Sequence, residues 1–300
     1  MSLINKMIAG MLPIVPKPIV QKISSRYIAG STLADAVRTV KQLNGIKAMA
    51  TVDVLGEYIK TMEEAEENTR YSCEVLRTIK KENLDGNLSI KLTSLGMGID
   101  DVACEANVRR ILETAKENGN TFVRFDMENS PYTSRTIALY KKLRKEFHCG
   151  VVLQAYLHRT VDDIKDLLAD GPTNVRICKG IYQESPEIAY KGKEEIRENY
   201  LKCLELLLSG GAYTAIATHD EVLTEGAKAL LKKHNRERST FEFQMLLGVQ
   251  EELRNSIIRE GYRMRIYVPF GADWYGYSVR RLKENPSIAG YIVKAMFTGN

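Results

Sequence analysis

VVLQAYLHRTVDDIKDLLADGPTNVRICKG, residues 151–180, decides the fold. It opens on VVLQAY (151–156), a short apolar run rich in β-branched residues, which predicts a buried strand. Thr160-Val161-Asp162-Asp163 then offers a helix start resembling a capping box, with Asp in place of the usual Glu, and Gly171-Pro172 ends that helix. NVRICKG (174–180) is a second strand of the same kind. A strand, a helix and a strand within about 30 residues make a βαβ unit, whose two strands lie parallel.

The same alternation runs outward in both directions. IKAMATVD (46–53), LSIKL (88–92) and TFVRFDM (121–127) precede the unit, and YTAIATHD (213–220), FEFQM (241–245) and RMRIYVPF (263–270) follow it, giving eight strands. Between them lie stretches of helical period. Residues 57–82 place Ile59, Met62, Ala65, Ser72, Leu76 and Ile79 on one side and Glu63, Glu64, Glu66 and Lys80 opposite. Ser130 reads as an N-cap before Pro131, with Ile137, Tyr140, Leu143 and Phe147 behind it. Further helices are predicted near 102–118, 186–209, 221–234 and 249–260. Eight βα pairs over residues 46–300 fit a (β/α)8 TIM-type barrel, preceded by an N-terminal helical arm, 1–45, with Leu33, Val37, Val40 and Leu43 on one face. A doubly wound sheet is disfavoured, because Gly96-x-Gly98 has Asp101 where a dinucleotide fingerprint needs its third glycine.

Composition narrows the function. Hydrophobic residues at 44% against 27% charged, with 8 Pro and 21 Gly, exclude a disordered or low-complexity chain. The net charge of +5 is spread along the whole length, with no basic block, so no nucleic-acid partner is expected. Cys73, Cys104, Cys149, Cys178 and Cys203 lack zinc spacing and read as reduced thiols of a cytoplasmic protein, with no metal. The apolar start of the chain is broken by Pro13, Pro16 and Pro18; residues 2–12 read either as a surface-lying helix or as a docking arm.

In a barrel, chemistry sits at the C-terminal ends of the strands. Those ends carry Asp53 with Glu57 beyond it, Lys91, Asp126, Gln154, Arg176 with Lys179, Thr218-His219-Asp220, Gln244 and Tyr267. Lys91 points inward if the alternation holds, and a buried lysine needs a partner. Arg280-Arg281, after the aromatic run Trp274-Tyr275-Gly276-Tyr277, would clamp a carboxylate or phosphate. The mouth is cationic on one side and suits a small anionic substrate with a phosphate-bearing cofactor. Two chemistries fit: a Schiff-base lyase or aldolase using Lys91 or Lys179, and a flavin or nicotinamide redox site.

The strings TVDVLGE, SIKLTSLG, VRFDMENSPYT, VVLQAYLHRT, VRICKGIYQE, IATHD, FEFQMLLGV, RIYVPFG and YGYSVRRL, in this order, resemble the proline dehydrogenases in their short monofunctional bacterial form, from about Thr51 to Phe297. The resemblance implies noncovalent FAD and oxidation of L-proline to Δ1-pyrroline-5-carboxylate by hydride transfer to flavin N5. Electrons would pass to a membrane quinone, with the protein peripheral on the inner face of the membrane. A separate pyrroline-5-carboxylate dehydrogenase would be a transient partner, and a final helix would lie over the barrel mouth. By the resemblance, Lys91, Arg280 and Arg281 hold the proline carboxylate, and Asp126 and Arg176 are active-site residues. Gln154 and Arg176 lie beside the flavin, and Met127, Lys179, Gly180, Ile181, Thr218 and His219 line FAD. Glu57 acts as a gate, and Leu246, Tyr267 and Tyr277 pack on the substrate ring.

Overall fold

The computed structural model describes residues 26–56, 59–272 and 274. Eight parallel strands close into a barrel in chain order: β1 (Met49–Val54), β2 (Gly86–Ile90), β3 (Val123–Phe125), β4 (Cys149–Gln154), β5 (Asn174–Cys178), β6 (Tyr213–Ala217), β7 (Phe241–Leu246) and β8 (Met264–Phe270). Closure is made by β8 on β1, in register from Met49 opposite Arg265 to Val54 opposite Phe270. Seven helices connect them: α2 (Met62–Lys81), α3 (Asp101–Glu117), α4 (Ser130–Leu143), α5 (Thr160–Ala169), α6 (Lys193–Ser209), α7 (Glu221–Lys233) and α8 (Glu251–Arg259), with α1 (Leu33–Gly45) before β1. The eight-stranded βα barrel read from the sequence is therefore the fold.

Period-two alternation separates two interiors. Val52, Leu88, Phe125, Val151, Ile177, Ile216, Phe243, Ile266 and Val268 are buried in one continuous apolar core with the helices. The intervening positions include Thr51, Asp53, Ser89, Arg124, Asp126, Gln154, Arg176, Glu242, Gln244 and Arg265, all buried as well. A barrel of this kind usually fills its inside with Val, Ile and Leu; this one fills much of it with charge and amide.

Several local expectations are corrected. The capping box at Thr160 does not form: Arg159 is the N-cap, Thr160 Oγ1 donates to the Gln154 carbonyl (2.5 Å), and Asp163 is taken by Arg159 Nε (2.8 Å). Asn129, not Ser130, caps α4, because Ser130 is held by Glu184 through its N–H and Oγ, both at 2.7 Å. The helix expected from 57 begins at Met62, where Thr61 and Glu64 make the reciprocal cap. The one expected from 186 begins at Lys193, the chain before it being drawn into a bridge between Leu157 and Ala189.

The helix α1 holds a position of consequence. Ala29 N donates to Pro269 O (2.9 Å) and Gly271 N to Gly30 O (3.0 Å), tying the chain before α1 to the end of β8. From there α1 packs against β8 and β1, burying Ala36, Val40 and Leu43. That is the outer slot a helix following β8 would otherwise fill. No helix among the described residues is long and apolar enough to cross a membrane.

Candidate active site

Asp126, just beyond β3, is the hub of the mouth. Its Oδ1 accepts from Ser89 Oγ (2.6 Å) and Arg176 Nη1 (2.7 Å), and its Oδ2 accepts from Tyr267 Oη (2.6 Å) with Lys91 Nζ 3.8 Å away. These partners come from β2, β5 and β8, so the contacts cross the inside of the barrel. Burial alone would raise the Asp126 carboxyl, but the charges of Arg176 and Lys91 and the hydrogen bonds from Ser89 and Tyr267 outweigh it and hold the group below the usual carboxylate range. So saturated a carboxylate is a weak base; its role is to hold the cations in place. Burial, then Asp126 and Asp53, push the Tyr267 phenol well above its ordinary range, which keeps it a donor.

Lys91 points inward as expected and has the partner its burial demands: Nζ donates to Asp53 Oδ1 (2.7 Å) and to Tyr267 Oη (3.4 Å). Arg176 lies with its Cζ 5.4 Å from the Tyr267 ring centroid, and its Nε donates to Gln244 Oε1 (2.5 Å). Its third nitrogen, Nη2, is buried and has no hydrogen-bond partner among the described residues. A buried donor left over in such a cluster is a place for a ligand acceptor.

The remaining candidates divide around the mouth. Gln154 is pinned by donating to the Glu128 carbonyl (2.9 Å), and the Glu128 carboxylate in turn accepts from Thr93 N (3.0 Å) and from Thr93 Oγ1. Met127 is buried beside Asp126. Lys179 stands at the rim, 40% exposed, and donates to Asp220 (3.2 Å), which Arg197 grips with two nitrogens at 2.9 and 2.8 Å. Gly180 has φ +108°, and a Cβ there would meet the Tyr156 ring at 2.2 Å, so only glycine fits the turn. Ile181 is exposed. Thr218 accepts from Asp220 N (3.1 Å), and the His219 ring accepts from the backbone N–H of Leu246 (2.8 Å), which joins the ends of β6 and β7. Cys178 is half-buried against the apolar core, as a packing thiol. Glu57, Tyr277, Arg280 and Arg281 lie outside the described residues, as do residues 2–12.

Sequence reasoning found the upper ring of this cluster and missed its supports. Ser89, Glu128, Glu242 and Arg265 were not singled out, although Glu242 and Arg265 share the inward phase of Gln244 and Tyr267 and could have been found by it.

A family model described as proline dehydrogenase matches residues 36–293. Proline dehydrogenase 2 of Bacillus subtilis (strain 168) is 40% identical over 274 residues, covering 91% of this chain and 90% of that protein. The proline dehydrogenase of Deinococcus radiodurans is 35% identical over 286 residues, covering 92% and 91%. Among solved structures, proline utilization A (PutA) from Bdellovibrio bacteriovorus, inactivated by N-propargylglycine, superposes with a TM-score of 0.83 at 28% identity; it covers 88% of this chain, which spans only 33% of that one.

Proposed function

The chain belongs to the proline dehydrogenase family, and from that premise we propose that it oxidises L-proline to Δ1-pyrroline-5-carboxylate with noncovalent FAD, passing electrons to a membrane quinone. One observation carries the reading: the buried Nη2 of Arg176, on a guanidinium held by Asp126 and Gln244, has no hydrogen-bond partner among the described residues. Bound FAD supplies the two-electron acceptor. The residues proposed to hold it are Met127, Gln154, Arg176, Lys179, Gly180, Ile181, Thr218 and His219, Arg176 within β5 and the others at or beyond the ends of β3 to β6, one contiguous arc of the barrel. The residues proposed for proline, Lys91, Leu246 and Tyr267, occupy the complementary arc from β7 through β8 to β2.

That division supports the chemistry. Lys91, with its ammonium oriented by Asp53, attracts the substrate carboxylate, and Tyr267, fixed by Asp126, walls the ring. Nζ of Lys91 is engaged by Asp53 at 2.7 Å, which counts against its use as a Schiff-base nucleophile. Because α1 fills the outer slot between β8 and β1, the segment bearing Tyr277, Arg280 and Arg281 is proposed to cross the mouth as a lid and complete the clamp, with Glu57 as its gate. Contact with the quinone membrane is proposed through residues 2–12, and the product passes to a separate pyrroline-5-carboxylate dehydrogenase.

The test is optical. Purified protein should show a flavin spectrum that bleaches on adding L-proline, and denaturation should release the flavin into the supernatant. A colourless protein that cannot be reconstituted with FAD, or a flavin spectrum indifferent to proline, overturns the assignment.

A further inference from the structure

Below the ring of candidate site residues lies a second polar layer. Glu242 on β7 is buried and fully engaged: Oε1 accepts from Gln244 Nε2 (2.6 Å) and Arg265 Nε (2.7 Å), and Oε2 from Tyr213 Oη (2.8 Å) and Arg265 Nη2 (3.2 Å). Burial works against its charge, yet the charge and hydrogen bonds of Arg265, with bonds from Gln244 and Tyr213, hold the carboxyl down at about 2. With four donors on its two oxygens, Glu242 acts as an acceptor.

That fixes Gln244, two residues farther along the same inner face. An amide has one donating and one accepting end. With its NH2 directed to Glu242, its oxygen faces Arg176 Nε, which it accepts at 2.5 Å. The reversed amide would set its oxygen against a carboxylate and its NH2 against a guanidinium that has no acceptor, losing both bonds. Asp126 holds Nη1 of the same guanidinium at 2.7 Å, so two of the three nitrogens of Arg176 are fixed and the direction of Nη2 follows.

We infer that Glu242 is a positioning residue for Arg176: acting through the amide of Gln244, the carboxylate in the lower layer of the barrel sets the direction in which Arg176 donates into the active site. The consequence for the flavin rests on the function proposed above; the positioning itself does not.

The decisive variant removes the orienting carboxylate without stranding a charge, Glu242→Leu with Arg265→Met, since replacing a whole buried pair by apolar residues is close to neutral. In arginine-15N-labelled protein, the Arg176 Nε–H, assigned by its loss in Arg176→Lys, should exchange slowly with solvent in the wild type. It should exchange at least about ten-fold faster in the double variant, where Gln244 is intact but free to turn. Wild-type protection in the double variant overturns the inference, and this readout needs no flavin. Should the double variant not fold, Glu242→Met with Arg265→Leu takes its place under the same criterion. The second readout is the potential of the bound flavin. Reduction adds electrons to the ring, so a fixed guanidinium favours the reduced form. Gln244→Met should lower that preference about ten-fold, which is 30 mV for a two-electron couple. Combining it with the double variant should shift the potential no further, because both act through one amide. Additive shifts, or an unchanged potential in Gln244→Met, overturn the inference, whereas a wild type that binds no flavin overturns the proposed function and leaves the exchange test in force.

Discussion

Asp126→Asn is the perturbation on which the organisation of the mouth turns. The substitution keeps size and shape and removes one negative charge. Of the three short contacts, those from Ser89 (2.6 Å) and Tyr267 (2.6 Å) are to hydroxyls that can reorient and accept from an amide. Arg176, at 2.7 Å, cannot accept, and it loses its counter-charge while buried. Stranding one partner of a buried pair costs about 3–5 kcal/mol. With an unfolding entropy of ~2.1 cal/mol/K per residue over 300 residues, that is a fall in Tm of about 5–8 °C. Turnover should fall further, by about 100-fold, because Arg176 and Tyr267 are no longer held in one geometry. Binding of a carboxylate inhibitor, titrated against flavin absorbance, should be no weaker than in the wild type, since Asp126 no longer competes for Lys91 and Arg176. Calorimetry, steady-state kinetics and that titration together check the argument. A Tm within about 1 °C of wild type would refute the claim that Asp126 neutralises buried cations, and a large loss of inhibitor affinity would mean that it contacts the ligand instead.

Glu242 and Asp220 have folded-state carboxyls lowered to about 2 from 4.5 and 3.8, so the stability they contribute is complete above those ordinary values and is lost as pH falls toward 2. Acid unfolding monitored from pH 5 to pH 2, to use round limits around ~4.5 and ~2, should be less steep in Glu242→Gln, and an unchanged slope would contradict the assignment. Gly150→Ala would bring a Cβ within 2.4 Å of Arg124 Nη1 and 2.7 Å of the Asn174 carbonyl; overpacking of about 1–3 kcal/mol should lower Tm by about 2–5 °C, and a neutral result would show that Arg124 can move aside. Tyr267→Ser should narrow the proline over 4-hydroxyproline ratio of kcat/KM by about 10–100-fold, and an unchanged ratio would remove Tyr267 from specificity. Arg280→Met or Arg281→Met should raise the proline Kd by roughly ten- to a hundred-fold with FAD content near normal; wild-type affinity in both would remove the clamp, and loss of FAD would make the pair a cofactor site.

What the sequence disclosed, and what it hid, follows from the range of each signal. In RMRIYVPF, alternation alone sends Met264, Ile266, Val268 and Phe270 outward and Arg265 and Tyr267 inward, and the structure follows it. The ionisable strand ends were legible for the same reason, and so was the need of Lys91 for a partner. The partner's identity was not: Asp53 lies 38 positions away, and the bond between Tyr267 and Asp126 spans 141, so both depend on how the barrel closes. Glu242 and Arg265 were passed over because a charge in mid-strand is ordinarily expelled to solvent, and only closure reveals that each neutralises the other. The helices begin at Thr160 and Ser130, but the caps expected there do not form, because the Gln154 carbonyl and Glu184 capture the hydroxyls that would have made them.

Closure also sets the electrostatic balance of the interior. Among the described buried residues, the barrel and its mouth carry the cations Lys91, Arg124, Arg176 and Arg265 against the carboxylates Asp53, Asp126, Glu128 and Glu242. Arg124 donates to carbonyl oxygens and the Asn174 amide, and its guanidinium is pulled down to about 9 by burial and then by Arg176. In the upper layer Lys91 and Arg176 are already oriented by Asp53, Asp126 and Gln244, so an arriving anion meets cations whose ordering cost has been met during folding. The orientation of Lys91 and Arg176 toward an incoming anion is thus built into the strands themselves.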